Sequence, residues 1–169
     1  MHIPNKILTF ALSNKTIKAM YGDDMLLTPL ETMKQENPNM NPSEFFISFL
    51  NRLEGWKTKC KNLHWAAPKK NIHVYLDEFL SILSGYQDSL AEGYMGILGK
   101  MQPNVIKGVP SDALNAIDFI NEVKGATIVF YDKIPQETIY KGITSECETF
   151  IQNINKYKYL FELCDIRPY

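Results

Sequence analysis

The sequence predicts an all-α protein, a bundle of four long helices behind an N-terminal extension. Apolar residues recur at three- and four-residue intervals over four long stretches, and the breaks between them hold proline, asparagine and glycine. No stretch sustains a two-residue alternation. Ala126 to Tyr131 is partly β-branched, but it continues a helical period.

A chain of 169 residues is long enough for one domain with a sizeable core. Its 45% hydrophobic and 22% charged content is ordinary for a globular protein. The net charge of −1 gives no sign of nucleic-acid binding. Cys60, Cys147 and Cys164 are odd in number and lack CxxC spacing, so buried structural thiols in a reducing, cytoplasmic setting are expected. No apolar run approaches the ~20 residues of a membrane span, and no secretion signal is visible.

Residues 1–40 form the extension, with equal numbers of lysines and acidic residues. Its apolar Met1, Ile3, Ile7, Phe10 and Leu12 suggest that it packs against something rather than hanging free. Asn37-Pro38-Asn39-Met40-Asn41-Pro42 marks the boundary, and the bundle is expected over 41–165. Asn41 is a good N-cap with Pro42 at the first helical position, which predicts a helix over 42–65. Phe46, Phe49, Leu50, Leu53, Trp56, Cys60 and Leu63 form its apolar face. Pro68 breaks the chain, and a second helix is predicted over 71–93 with Leu76, Phe79, Leu80, Leu83, Tyr86 and Leu90 inward. Gly93, Gly96 and Gly99 weaken its end, which leaves the length of the following connector open.

Ser111-Asp112 can cap a third helix over 111–132, carrying Leu114, Ile117, Ile120, Val123 or Lys124, Ile128 and Tyr131. Pro135 opens a fourth over 136–162, with Ile139, Ile143, Cys147, Phe150 or Ile151, Ile154 and Phe161 in phase.

Chemistry concentrates between His64 and Glu92. On a helix, His73 and Asp77 lie one turn apart on one face, as do Asp88 and Glu92. Three turns and only ~20° of rotation separate Asp77 from Asp88, so the four share a stripe while the pairs stand roughly 16 Å apart. One helix cannot bring both pairs to one ion, but two antiparallel copies can. A twofold crossing near Ile82 and Leu83 sets His73 and Asp77 of one copy beside Asp88 and Glu92 of the other, twice over. Ser81, Ser84 and Gly85 occupy the stripe between the pairs, and their small side chains permit a close crossing. His64 can add a further nitrogen. Such a mixture of imidazole and carboxylate suits iron or zinc better than calcium or magnesium.

Leu63-His64-Trp65, His73-x-x-x-Asp77 and Asp88-x-x-Ala91-Glu92 resemble the signature of the miniferritins, the starvation-induced DNA-protection proteins of bacteria. Residues 60–92 carry the resemblance, and residues 43–163 extend it by helix pattern only. It implies a ferritin-like four-helix bundle, a homo-oligomeric cage, and iron bound by His64, His73, Asp77, Asp88 and Glu92 at a ferroxidase site between two subunits. The interval from His64 to His73 is shorter than the family pattern. Ala66-Ala67-Pro68 stands where a glycine usually follows the tryptophan, and the extension is not a basic DNA-binding tail. A ferritin-type site inside one subunit is excluded, because it needs Glu-x-x-His on two helices and the only histidines are His2, His64 and His73.

The sequence shows no phosphate-binding loop and no Ser-His-Asp pattern. For a lone histidine or acid on a helix, a solvated or packing role is the usual one, and Trp65 is expected to pack. Two functional readings stay open. One is an iron-oxidising and storage protein of miniferritin type. The other is a structural subunit, such as a ring or connector in a bacteriophage virion or another large assembly, using the bundle without iron.

Overall fold

Asn41 and Pro42 start the first helix as their chemistry requires. The computed structural model describes residues 41–165. The extension over 1–40, with its expected packing, lies outside the described residues. Helix α1 spans Pro42–Ala66, and the Asn41 side chain accepts a hydrogen bond from the Ser43 N–H at 3.0 Å. Phe46, Phe49, Leu50, Leu53, Trp56 and Cys60 are buried along it, as their spacing predicts.

Helix α2 spans Lys70–Leu98 and runs past both Gly93 and Gly96. Gly93 has a packing reason, since a Cβ there would lie 3.2 Å from the Ile143 side chain on the last helix. Gly99 is the true stop. Its φ of +91° lies in the region that L side chains avoid, and its N–H closes on the Met95 carbonyl at 3.1 Å.

Helix α3 spans Ala116–Lys133, later than the start expected at Ser111. The Ser111 hydroxyl is engaged instead by the Glu122 carboxylate at 2.6 Å, and Asn115 caps the helix by accepting from the Asp118 N–H at 2.9 Å. The core phase moves accordingly. Phe119, Ile120, Val123, Ala126, Thr127 and Phe130 face inward, while Leu114 and Ile128 are exposed. A 3-10 turn, Thr138–Tyr140, leads into α4, Lys141–Asp165. Ile139 is exposed on that turn, and Ile143, Cys147, Phe150, Ile154, Tyr157 and Phe161 are buried. Among the described residues there is no strand.

Ring contacts fix the arrangement of the four helices. Phe46 near the start of α1 meets Tyr94 near the end of α2 and Phe130 near the end of α3, so α1 is antiparallel to both. Phe79 of α2 meets Tyr157 of α4, and Tyr86 stacks on Phe150 with centroids 4.1 Å apart, so α2 and α4 are antiparallel as well. Phe79 also reaches Phe119 on α3 across the core. Phe49 on Phe130, at 3.9 Å, is a further stacked pair. Pairs of this kind add about 0.5–1.5 kcal/mol beyond the area they bury. The chain thus runs up, down, down, up, and residues 99–115 must cross the length of the bundle between α2 and α3.

That crossover is bonded to α1. Asn51 spans it with both ends of its amide: Oδ1 accepts from the N–H of Lys107 and Gly108, and Nδ2 donates to the Val105 carbonyl. The Asn51 carbonyl accepts from the Val109 N–H at 2.9 Å. One turn on, Gly55 lets the crossover backbone touch the helix. A Cβ there would lie 2.6 Å from the Val109 carbonyl carbon and closer still to its oxygen. Farther along, Lys59 donates to the Ala113 carbonyl, and the Trp56 indole N–H joins Ser111 on Glu122.

Gly55→Ala is therefore expected to cost about 3 kcal/mol, because neither backbone can give way without losing bonds. Urea denaturation measures it; a loss below about 0.5 kcal/mol would contradict this docking.

Candidate metal centre

Three residues, Ala67 to Lys69, separate α1 from α2, and this tight turn decides where the two nearest histidines stand. His64 lies in the last turn of α1, and His73 in the first turn of α2. Their rings stack with centroids 3.8 Å apart and planes 28° from parallel. Each ring bonds to the other's backbone: His64 Nδ1 lies 3.0 Å from the His73 carbonyl oxygen, and His73 Nδ1 lies 2.9 Å from the His64 carbonyl oxygen.

A carbonyl oxygen only accepts, so both Nδ1 atoms carry their protons. In the neutral rings this leaves the lone pair on Nε2 of each. The same partner, a backbone carbonyl on the far nitrogen, commonly orients metal-binding histidines. His64 is buried and His73 is exposed. Two such hydrogen bonds also fasten the hairpin, at about 0.5–1.5 kcal/mol each.

Asp77 lies one turn beyond His73, its Oδ1 4.0 Å from His64 Nδ1. It is not hydrogen-bonded to that nitrogen, and its side chain is 62% exposed. Asp88 and Glu92 are exposed three and four turns farther along α2. The structure therefore gathers His64, His73 and Asp77 at one end of α2 and leaves Asp88 and Glu92 at the other. Among the described residues of one subunit, no three His, Cys, Asp or Glu side chains converge to hold a metal ion.

Between the two groups the outer face of α2 is low. Ser81, Ser84 and Gly85 are exposed, and a Cβ on Gly85 would meet nothing within 4 Å. Both hydroxyls are bonded to their own helix, Ser81 to the Asp77 carbonyl and Ser84 to the Leu80 carbonyl, so neither demands a partner. An open groove lies on each side of this ridge. One, of about 500 Å³, runs between α1, α2 and the crossover and includes Lys57, Asp88 and Ile106. The other, of about 370 Å³, runs between α2 and α4 and includes Tyr86, Glu146 and Asn153.

Cys60 and Cys147 are buried as expected and add no ligand, whereas Cys164 is only half-buried. Burial pushes the Cys60 thiol up to about 12 and the Cys147 thiol to about 11, so both stay protonated at neutral pH. Cys60, one turn before His64, donates instead to the Leu76 carbonyl at 3.2 Å. Trp65 does not pack as its residue type suggested. It is 70% exposed beside the histidine pair, with the Lys61 ammonium 5.7 Å from its ring. Spacing alone could not show the reciprocal carbonyl bonds; the short interval between the two histidines is the signal that anticipates them.

No protein-family model, curated protein or solved structure matches this chain.

Because a Cβ at Gly85 meets nothing among the described residues, Gly85→Leu is expected to leave the subunit folded and to raise its stability by about 0.5–1 kcal/mol through helix propensity. Any association across the α2 face should be lost in that variant, because the added volume fills the ridge. Thermal unfolding and sedimentation measure the two effects, and an oligomer of unchanged mass would count against contact there.

Proposed function

We propose that this protein binds and oxidises ferrous iron at a site shared between two copies, in the manner of the miniferritins, and stores the ferric product. The histidine pair carries the reading: two imidazoles held by carbonyl bonds on Nδ1, with Asp77 one turn away. The up-down-down-up order with its long crossover supports a ferritin-like bundle. So does the stripe on α2, uncovered among the described residues and lined by small ones, with acids at its far end.

In the proposed arrangement His64, His73 and Asp77 of one copy face Asp88 and Glu92 of a second. Iron is the substrate, one or two ions per site. The imidazoles keep affinity for Fe(II) moderate, and the carboxylates favour the ferric state, so loss of an electron to an oxidant follows binding. A twofold axis makes two such sites per pair. A cytoplasmic location goes with this reading. Among the described residues no helix is long and apolar enough to cross a membrane.

A structural role in a virion or other large assembly is the second reading. The same carbonyl bonds favour it too, since they staple the α1–α2 hairpin whether or not metal binds.

Anaerobic Fe(II) titration followed by addition of oxidant decides between them. Saturable binding and oxidation are expected in the unaltered protein. His73→Ala and Glu92→Ala should each weaken binding by about 10–100-fold or more, by analogy with the loss of groups that support a metal site. An unaltered protein that binds no iron would leave the structural reading.

A further inference from the structure

At one end of the bundle the apolar stripes of α2 and α4 run past the core they build. The buried series Leu83, Tyr86, Leu90 and Tyr94 continues in phase to Leu98, one turn beyond Tyr94, and Leu98 is exposed. Met95, on the same last turn, is exposed as well. Ile139 stands four residues before buried Ile143 and is 61% exposed. All three lie beside the start of α1. Phe46 meets the rings of both Tyr94 and Tyr140, and the Ser43 and Tyr94 hydroxyls share a hydrogen bond.

The chain that precedes α1 enters at this same end, through Asn41. Within it Met25, Leu26, Leu27, Leu30 and Met33 put five large apolar side chains into nine residues. Thr28-Pro29-Leu30-Glu31 has the pattern of a helix start, with proline at the first helical position and Glu at the third. Leu30 and Met33, three apart, would then share a face.

Reach decides where this stretch can go. Met33 lies eight residues before Asn41, so it can stand at most ~28 Å from the start of α1. The ends of the neighbouring helices are well inside that radius, since packed axes lie about 8–10 Å apart. Exposed Trp65, 24 residues along α1, is ~36 Å away and out of range. A short linker also holds the stretch at a local concentration of about millimolar, which favours its own subunit over a second copy.

We propose that residues 25–33 lie over this end of the bundle and pack on Met95, Leu98 and Ile139, closing the core of their own subunit. The preceding chain then belongs to the fold and is not a free arm. The covered end is the one remote from His64 and His73, so the proposal stands apart from the iron reading.

The test is hydrogen–deuterium exchange of the full chain, read by mass spectrometry over a range of protein concentrations. Amides in 26–33 are expected to exchange at least about tenfold more slowly than in a free peptide of the same sequence, at every concentration. In a double variant, Leu98→Gln with Ile139→Gln, that protection should vanish while the interiors of α1 to α4 keep theirs. Should the double variant not fold, Leu30→Gln with Met33→Gln decides, since it should free 26–33 and speed exchange at the end of α2. The proposal is overturned if 26–33 exchanges like the free peptide in the unaltered protein. Protection that survives in the folded Leu98 and Ile139 variant, or an unchanged end of α2 in the Leu30 and Met33 variant, would also overturn it. Protection lost on dilution would show that a second copy, not the same chain, covers this end, and would overturn it too.

Discussion

Contact between the crossover and α1 at Gly55 is the constraint on which the remaining arrangement depends. The Val109 carbonyl sits where a Cβ would be, and the Asn51 side chain bonds three crossover residues on the preceding turn. Residues 99–115 are thereby committed to α1, and α3 is delivered to the α1 side of the bundle, where Glu122 accepts from Trp56. The position left beside α2 goes to α4, close enough that Gly93 faces Ile143 directly. A different path for the crossover could have lain over α2. As it stands, nothing among the described residues covers the outer stripe of α2.

That uncovered stripe gives the histidine pair its consequence. The hairpin turn and two carbonyl bonds place His64 and His73 at one end of α2, and among the described residues Asp77 is the acid beside them. The acids that would complete a ligand set lie roughly 16 Å away along a rigid helix. No side-chain rotation spans that distance. In the proposed reading a second chain completes the set, and the low ridge at Ser81, Ser84 and Gly85 is the part of α2 where it would approach.

Much of the fold was legible because α1, α2 and α4 bury faces with a clean helical period. Asn41 and Pro42 marked the start of α1 correctly, since a cap is a local interaction between residues near in sequence. Other features depended on distant partners. Ser111 had the credentials of a cap, but its hydroxyl bonds to Glu122, and Asn115 caps α3 in its place. Gly93 and Gly96 looked like a helix end, yet close packing against Ile143 gives Gly93 a place inside α2. Gly55 lay unnoticed within an apolar face, because only the path of the crossover shows why a side chain is forbidden there. The spacing of His73, Asp77, Asp88 and Glu92 placed them as two pairs on one helix, and α2 carries all four. It could not show that each imidazole bonds to the other's carbonyl, or that Trp65 stands exposed beside them.

The central claim is that one ion is held by both ends of α2, each from a different copy. Crystals grown anaerobically with Fe(II), measured at the iron absorption edge, test it directly. The account requires anomalous peaks bounded by His64, His73 and Asp77 of one copy and by Asp88 and Glu92 of a twofold-related copy. Crystals in which α2 meets no second α2, or in which iron lies away from the histidine pair, would contradict it.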